Sequence, residues 1–240
     1  KDAQEIRESM FDGSFKYCND LCPFKNTKTG PVVQIYDLFN SQPKFKEIYT
    51  ISFNYGQRHI KELEYSKILS ALAGAKNHIE LNITELFSQV TSSALMDKSK
   101  DVSSNSEFDE TLPASFVPFR NMQFLLNAGS IAYMHNIKNL ITGVCQTDFS
   151  GYADCRDIFI KSMNVTLSLA GDCDFDIYTP LMWLTKSETI KLMQSLGTLD
   201  WYKYTITCYN GTNCGICPSC KLRIKGFEEA GIKDPIEYSL

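Results

Sequence analysis

EIYTISFN (Glu47–Asn54), YGQRH (Tyr55–His59) and HIELNI (His78–Ile83), read in that order, decide the fold. The first is rich in β-branched and aromatic residues, which suit a pleated, half-buried backbone. The second is a polar turn. After it, Tyr65, Ile68, Leu69 and Leu72 share one face at helical spacing, and Gly74 can end that helix. In the third, Ile79, Leu81 and Ile83 alternate onto one side of a strand. Strand, helix and strand in immediate succession make a βαβ unit.

The rhythm continues downstream. A Ser-, Asp- and Lys-rich stretch from Ser88 to Glu110 reads as an exposed loop. A helix follows from about Arg120 to His135, then the strand Asn139 to Cys145, a helix from about Arg156 to Ala170 and a short strand Phe175 to Tyr178. The helix after Leu184 has its own start signal. In Thr185-Lys-Ser-Glu188 the Thr hydroxyl and the Glu carboxylate can satisfy free backbone N–H groups as a capping box, and Gly197 closes the helix. Repeated alternation predicts an α/β fold, a parallel sheet with helices on both faces and functional loops at the carboxyl ends of its strands. Upstream, residues 1–46 break the pattern: Cys18, Cys22, the turn-rich Lys25–Pro31 and a helix around Val32 to Phe39. Three parts are expected: an N-terminal segment outside the pattern (1–46), an α/β core (47–200) and a small C-terminal part (201–240).

With 240 residues, 43% hydrophobic and 22% charged, the chain can bury one large core or two modest ones. A formal charge of −4 leaves no global basic field for a polynucleotide, so direct nucleic-acid binding is not expected. Mean hydropathy is −0.20. No run reaches the ~18 apolar residues a membrane span needs, and the first residues carry no secretory signal, so a soluble, cytoplasmic protein is expected.

Four of the nine cysteines crowd into TCYNGTNCGICPSC: Cys208, Cys214, Cys217 and Cys220. Two-residue gaps let successive thiolates turn back on one ion at about 2.3 Å, and four sulfurs close a tetrahedral zinc shell with no open position. Such a site holds structure. A set of buried or disulfide-paired cysteines and an iron–sulfur cluster are the alternatives.

Three polar loops fall where strands end or helices begin. In Tyr55-Gly-Gln-Arg58-His59 an Arg and a His open a helix, where free N–H groups and the helix dipole favour anions; a capped turn with solvated charges is the plainer account. Pro118-Phe-Arg120-Asn121 has the same two readings. The third, Gly143 to Asp157 (GVCQTDFSGYADCRD), carries three Asp and one Arg among small residues. Acids and a guanidinium on one loop can recognise a planar heterocycle and clamp a carboxylate, or form a merely polar loop. Cys155 has no base nearby in sequence and reads as a buried small residue, and His78 and His135 as strand and helix-end residues rather than ligands.

Together these segments resemble the 7-cyano-7-deazaguanine synthase family. Its FDYGQRH matches Phe53–His59, its FVPGRN matches Phe116–Asn121, and its ITGVCETDFSGYPDCRD matches Ile141–Asp157. Its PLxWLxKxET matches Pro180–Thr189 and its TCYNG…CGxCxxCxxR matches Thr207–Arg223. The resemblance runs from about Glu47 to the C-terminus. It implies an adenine-nucleotide α-hydrolase-like fold that binds ATP with Mg, a zinc-bearing C-terminal part and a homodimer. It also implies a ligase that converts 7-carboxy-7-deazaguanine and ammonia to the nitrile. On the matched positions, Asp148, Gly151, Tyr152, Asp154 and Arg156 would hold the deazaguanine. Arg58, Arg120 and Lys186 would face phosphate or carboxylate as the catalytic groups, with Tyr55, Arg58 and Lys186 at the nucleotide, and the four cysteines would bind zinc.

Among the departures from the family pattern are Asn54 where the family has Asp, Phe119 where it has Gly, and no SGGxDST phosphate loop in residues 1–240. Lys25–Pro31 does not supply the same nest of donors. The strand that normally carries that loop is central, so two expectations arise. Either strand and loop lie upstream of Lys1, which is not Met, or residues 1–46 supply a substitute strand in a fold less suited to ATP. The alternatives to the ligase are a non-catalytic relative that binds a deazapurine or a partner protein, and a ligase using another amine.

Overall fold

The structure is a computed structural model, and it describes residues 33–35, 47–90, 93–97, 99–102, 113–147 and 152–239. Among the described residues five strands form one sheet: β1 (Val33–Ile35), β2 (Tyr49–Asn54), β3 (Asn77–Asn82), β4 (Asn139–Thr142) and β5 (Asp176–Tyr178), in the order β3-β2-β1-β4-β5. β2 pairs parallel with β3, and β4 with β5. Between β2 and β4 sits β1, antiparallel to both, with Val33 opposite Ile51 on one side and Thr142 on the other. Four strands therefore share a direction, and the central short one opposes them. The helix expected around Val32 to Phe39 is corrected to a strand at 33–35: β-branched Val33 and Ile35 alternate with Gln34, and a sheet slot with unpaired edges on both sides outweighs a weak local helical pattern. Cys18, Cys22 and Lys25–Pro31 lie outside the described residues.

The described residues form six α-helices: α1 (Lys61–Leu72), α2 (Thr84–Val90), α3 (Arg120–Met134), α4 (Asp157–Gly171), α5 (Lys186–Ser195) and α6 (Pro218–Ala230). No helix of the described residues is long and apolar enough to cross a membrane. The alternation of β2 splits the core between the two faces. Ile51 and Phe53 pack with Phe124 and Leu125 of α3 and Met163 of α4, and the Phe53 and Phe124 rings stack at 4.3 Å. Ile48 and Ile141 pack on the other side with Leu69 of α1, Leu181 and Leu184. At Gly129 a Cβ would meet Leu167 at 3.0 Å, so α3 and α4 pack closely there.

Two expectations change. In α1 the buried residues are Leu63, Ser66, Leu69 and Ser70, whereas Ile68 and Leu72 are 40% and 44% exposed. The strand it covers presents hydroxyls: Thr50 Oγ1 lies 2.7 Å from Ser70 Oγ and 2.7 Å from His78 Nδ1, and Ser52 Oγ lies 3.0 Å from His78 Nε2. A polar strand face selects a helix face that can hydrogen-bond to it. The stretch from Ser88 is also not wholly exposed. Its first residues finish α2, and Ala94, Leu95 and Val102 are buried in the core. A few apolar side chains suffice to tie down a polar segment. The capping box of α5 forms as expected: Glu188 N–H donates to Thr185 Oγ1 (3.3 Å) and Thr185 N–H to Glu188 Oε2 (2.7 Å).

Candidate functional site

β2 ends in Asn54, and the chain turns at Gly56, whose φ of +84° favours glycine. Gln57 staples that turn: its Oε1 accepts from Tyr55 N–H (2.9 Å), and its Nε2 donates to Phe53 O (3.0 Å) and Glu62 Oε1 (2.7 Å). Arg58 N–H donates to Leu95 O at 2.8 Å, fastening the turn to the tied-down segment. Tyr55 is thereby fully buried against Phe87 and Phe124, and burial pushes its hydroxyl pKa up, keeping it protonated.

Arg120 opens α3 directly after Phe119, which is held left-handed at φ 57°. Its Nη1 donates to Tyr55 Oη at 3.5 Å. Burial works against this charge, but neighbouring Tyr55, Asp154 and Tyr152 outweigh it and the pKa is raised, so Arg120 stays a cation in a dry site. Asp154 faces the start of α3: its Oδ2 accepts from Asn121 N–H at 3.0 Å. Burial raises its pKa, against the pull of Arg120 and that N–H. A carboxylate at a helix N-terminus is favoured by the dipole, so Asp154 also fixes where α3 begins. Tyr152 is buried, with Ser115 Oγ 2.8 Å from its hydroxyl and Phe116 stacked on its ring at 5.7 Å.

The turn after β2, the start of α3 and the loop after β4 thus converge, uniting Tyr55, Arg120, Tyr152 and Asp154. Sequence reasoning missed Asn121 as a partner of Asp154, Ser115 behind Tyr152 and Gln57 inside the turn; each acts through a hydrogen bond across the fold that spacing does not encode. Cys155 accepts from Asn121 Nδ2 at 3.2 Å, and burial foremost pushes its thiol up to about 12, which fits the inert reading over the nucleophilic one. Arg58 is half-buried in its turn, and Arg156 is exposed at the start of α4. Asp148 and Gly151 lie outside the described residues. Lys186 stands at the first residue of α5 and lines a cavity with Thr189, Thr205, Thr207, Arg223 and Phe227.

The Sγ atoms of Cys208, Cys214, Cys217 and Cys220 all lie within 4.8 Å of one another, a cluster able to hold a metal ion. Backbone N–H groups already point at the sulfurs: Cys214 N donates to Cys208 Sγ (3.3 Å), Cys217 N to Cys214 Sγ (3.4 Å) and Cys220 N to Cys217 Sγ (3.5 Å). Such donors suit thiolates better than neutral thiols, so the residues fit a cationic centre. Cys208, Cys217 and Cys220 share the core of Phe53 and Phe124, and Gly211 leans on the turn at His59. The cluster is built into the wall behind the site.

A family profile described as "Queuosine biosynthesis protein QueC" matches residues 37–231. Among curated proteins, two relatives named 7-cyano-7-deazaguanine synthase, from two strains of Staphylococcus epidermidis, are 50% identical over 195 residues. Each alignment covers 80% of this chain and 85% of the relative.

Proposed function

The chain belongs to the QueC family of queuosine biosynthesis proteins, and from that premise we propose that it is a ligase converting 7-carboxy-7-deazaguanine and ammonia to 7-cyano-7-deazaguanine at the expense of ATP. A carboxylate is a poor acyl acceptor. Its attack on ATP expels pyrophosphate and leaves an acyl adenylate, from which ammonia displaces AMP to give the amide. The amide oxygen then attacks a second ATP, again expelling pyrophosphate, and loss of AMP with a proton from the resulting adenylyl imidate leaves the nitrile.

The observation that carries this reading is the buried Arg120 cation beside Tyr55, Tyr152 and Asp154 at the carboxyl ends of β2 and β4. A fixed charge in a water-poor site stabilises anionic groups far more than it would in water. Tyr152 and Asp154, with Asp148, Gly151 and Arg156, hold the base; Arg120 faces its carboxylate; Arg58, Lys186 and Tyr55 meet the nucleotide, whose phosphates carry Mg. Residues 47–200 do this binding and 201–240 hold zinc on Cys208, Cys214, Cys217 and Cys220. A four-sulfur shell has no open position, so the ion supplies rigidity and no chemistry. Metal analysis should find one zinc per chain, and chelation should lower the melting temperature.

The same reading makes the protein a cytoplasmic homodimer without direct nucleic-acid contact. Incubation with ATP, ammonium and 7-carboxy-7-deazaguanine tests the function: AMP release and the mass of the nitrile are expected. An amide of another amine would identify a different ligase, and deazapurine binding without nucleotide binding would favour a non-catalytic relative.

A further inference from the structure

Gly226 lies inside α6, where glycine is normally a loss against alanine. Its φ is not positive, unlike that of Gly215 or Gly231, so backbone conformation does not call for it. The neighbouring side chain does. A Cβ at position 226 would stand 2.5 Å from Lys186 Cγ, 2.9 Å from Cδ and 3.0 Å from Cβ. These are the near atoms of the stem, not its mobile end, so Lys186 would have to leave its place. Nor can α6 readily withdraw. One turn earlier, Arg223 donates from Nε and Nη2 to Asp234 at 2.7 and 2.8 Å and from Nη1 to Thr205 Oγ1 at 2.7 Å. The next residue, Phe227, is buried with Ile190 and Met193 of α5.

We infer that Gly226 is a positioning residue for Lys186: the bare patch on α6 is the seat across which the lysine stem lies, so that the helix carrying Cys220 and capped by Cys217 of the cysteine cluster sets the place of the ammonium. This rests on the reading of Lys186 as a group of the reaction.

Four proteins test it: wild type, Gly226→Ala, Lys186→Ala and the double variant, each followed by AMP release and by thermal melting. Lys186→Ala is expected to lose about 10²-fold in kcat, and Gly226→Ala at least about tenfold with KM for the deazapurine little changed. The double variant should be no slower than Lys186→Ala, because residues acting through one group are not additive. Melting supplies a readout independent of catalysis. Gly226→Ala should melt below wild type, whereas the same change in the Lys186→Ala background, where Cγ and Cδ are gone and only the Cβ 3.0 Å away remains, should lower the midpoint far less. Wild-type rate in Gly226→Ala, losses that multiply in the double variant, or an equal fall in melting in both backgrounds would each overturn the inference. Wild-type rate in Lys186→Ala would instead overturn the role given to Lys186, with the melting comparison still deciding whether Gly226 seats its stem.

Discussion

Arg120 holds a permanent charge where water does not reach, and two tyrosines and one carboxylate make that tolerable. Arg120→Gln keeps a polar side chain of similar reach but removes the cation. Its expected cost is about 10²–10³-fold in kcat/KM, measured as AMP release, with the circular dichroism spectrum unchanged. Arg223 is charged and buried too, but its role is different: side chains of Arg223 and Asp234 are 3% and 9% exposed, and Tyr238 also donates to Asp234 at 2.7 Å. Removing one partner of a buried pair strands the other, so Asp234→Ala should cost about 3–5 kcal/mol in urea unfolding. Sequence motifs point to Tyr55, Arg120, Tyr152 and Asp154, because each is a chemically distinctive residue in a polar loop. Asp234 and Asn121 carry no such mark. Their importance comes from what folds against them.

At the scale of elements, strand and helix alternation was legible because apolar periodicity reports the local backbone. The direction of β1 was not, since a three-residue strand has almost no period and its orientation depends on which slot is vacant. The face of α1 was misread for another reason: periodicity counts apolar residues, and this interface is built from Thr50, Ser52, Ser66, Ser70 and the His78 ring. That layer has a pH signature. Burial first, and then the charge of Lys67, lowers the His78 pKa from its ordinary 6.5, against the opposite pull of Glu80. The unfolded chain therefore takes up a proton more readily than the folded one. The stability this gives is complete above pH 6.5 and falls as pH drops through the lower folded pKa. Between pH 6.5 and about 5 the melting temperature should decline more steeply in wild type than in His78→Gln. Equal slopes would assign the decline to other groups.

For the whole molecule, the question is what covers the outer side of α3 and α4. Met122, Leu126 and Tyr133 on α3 are 38%, 41% and 56% exposed, and Ile158, Val165 and Leu169 on α4 are 69%, 57% and 79% exposed. The two helices adjoin at Gly129 and Leu167, so these side chains form one surface. No Asp, Glu, Lys or Arg occurs from Asn121 to Met134 or from Ser162 to Gly171, in a chain that is 22% charged. An uncharged partner surface is the complement, and the homodimer proposed above would place the same face of a second copy against it about a twofold axis, the usual closed arrangement. The bare runs were visible in the sequence. That they face outward was not, because an apolar helix side reads alike whether it meets a core or a partner. Placing Glu at both Leu126 and Val165 would set like charges across such an axis while disturbing little within one chain. Sedimentation equilibrium should then show a dimer for wild type and a monomer for L126E/V165E with an unchanged far-ultraviolet spectrum; a wild-type monomer, or a variant that still dimerises, would place the contact elsewhere.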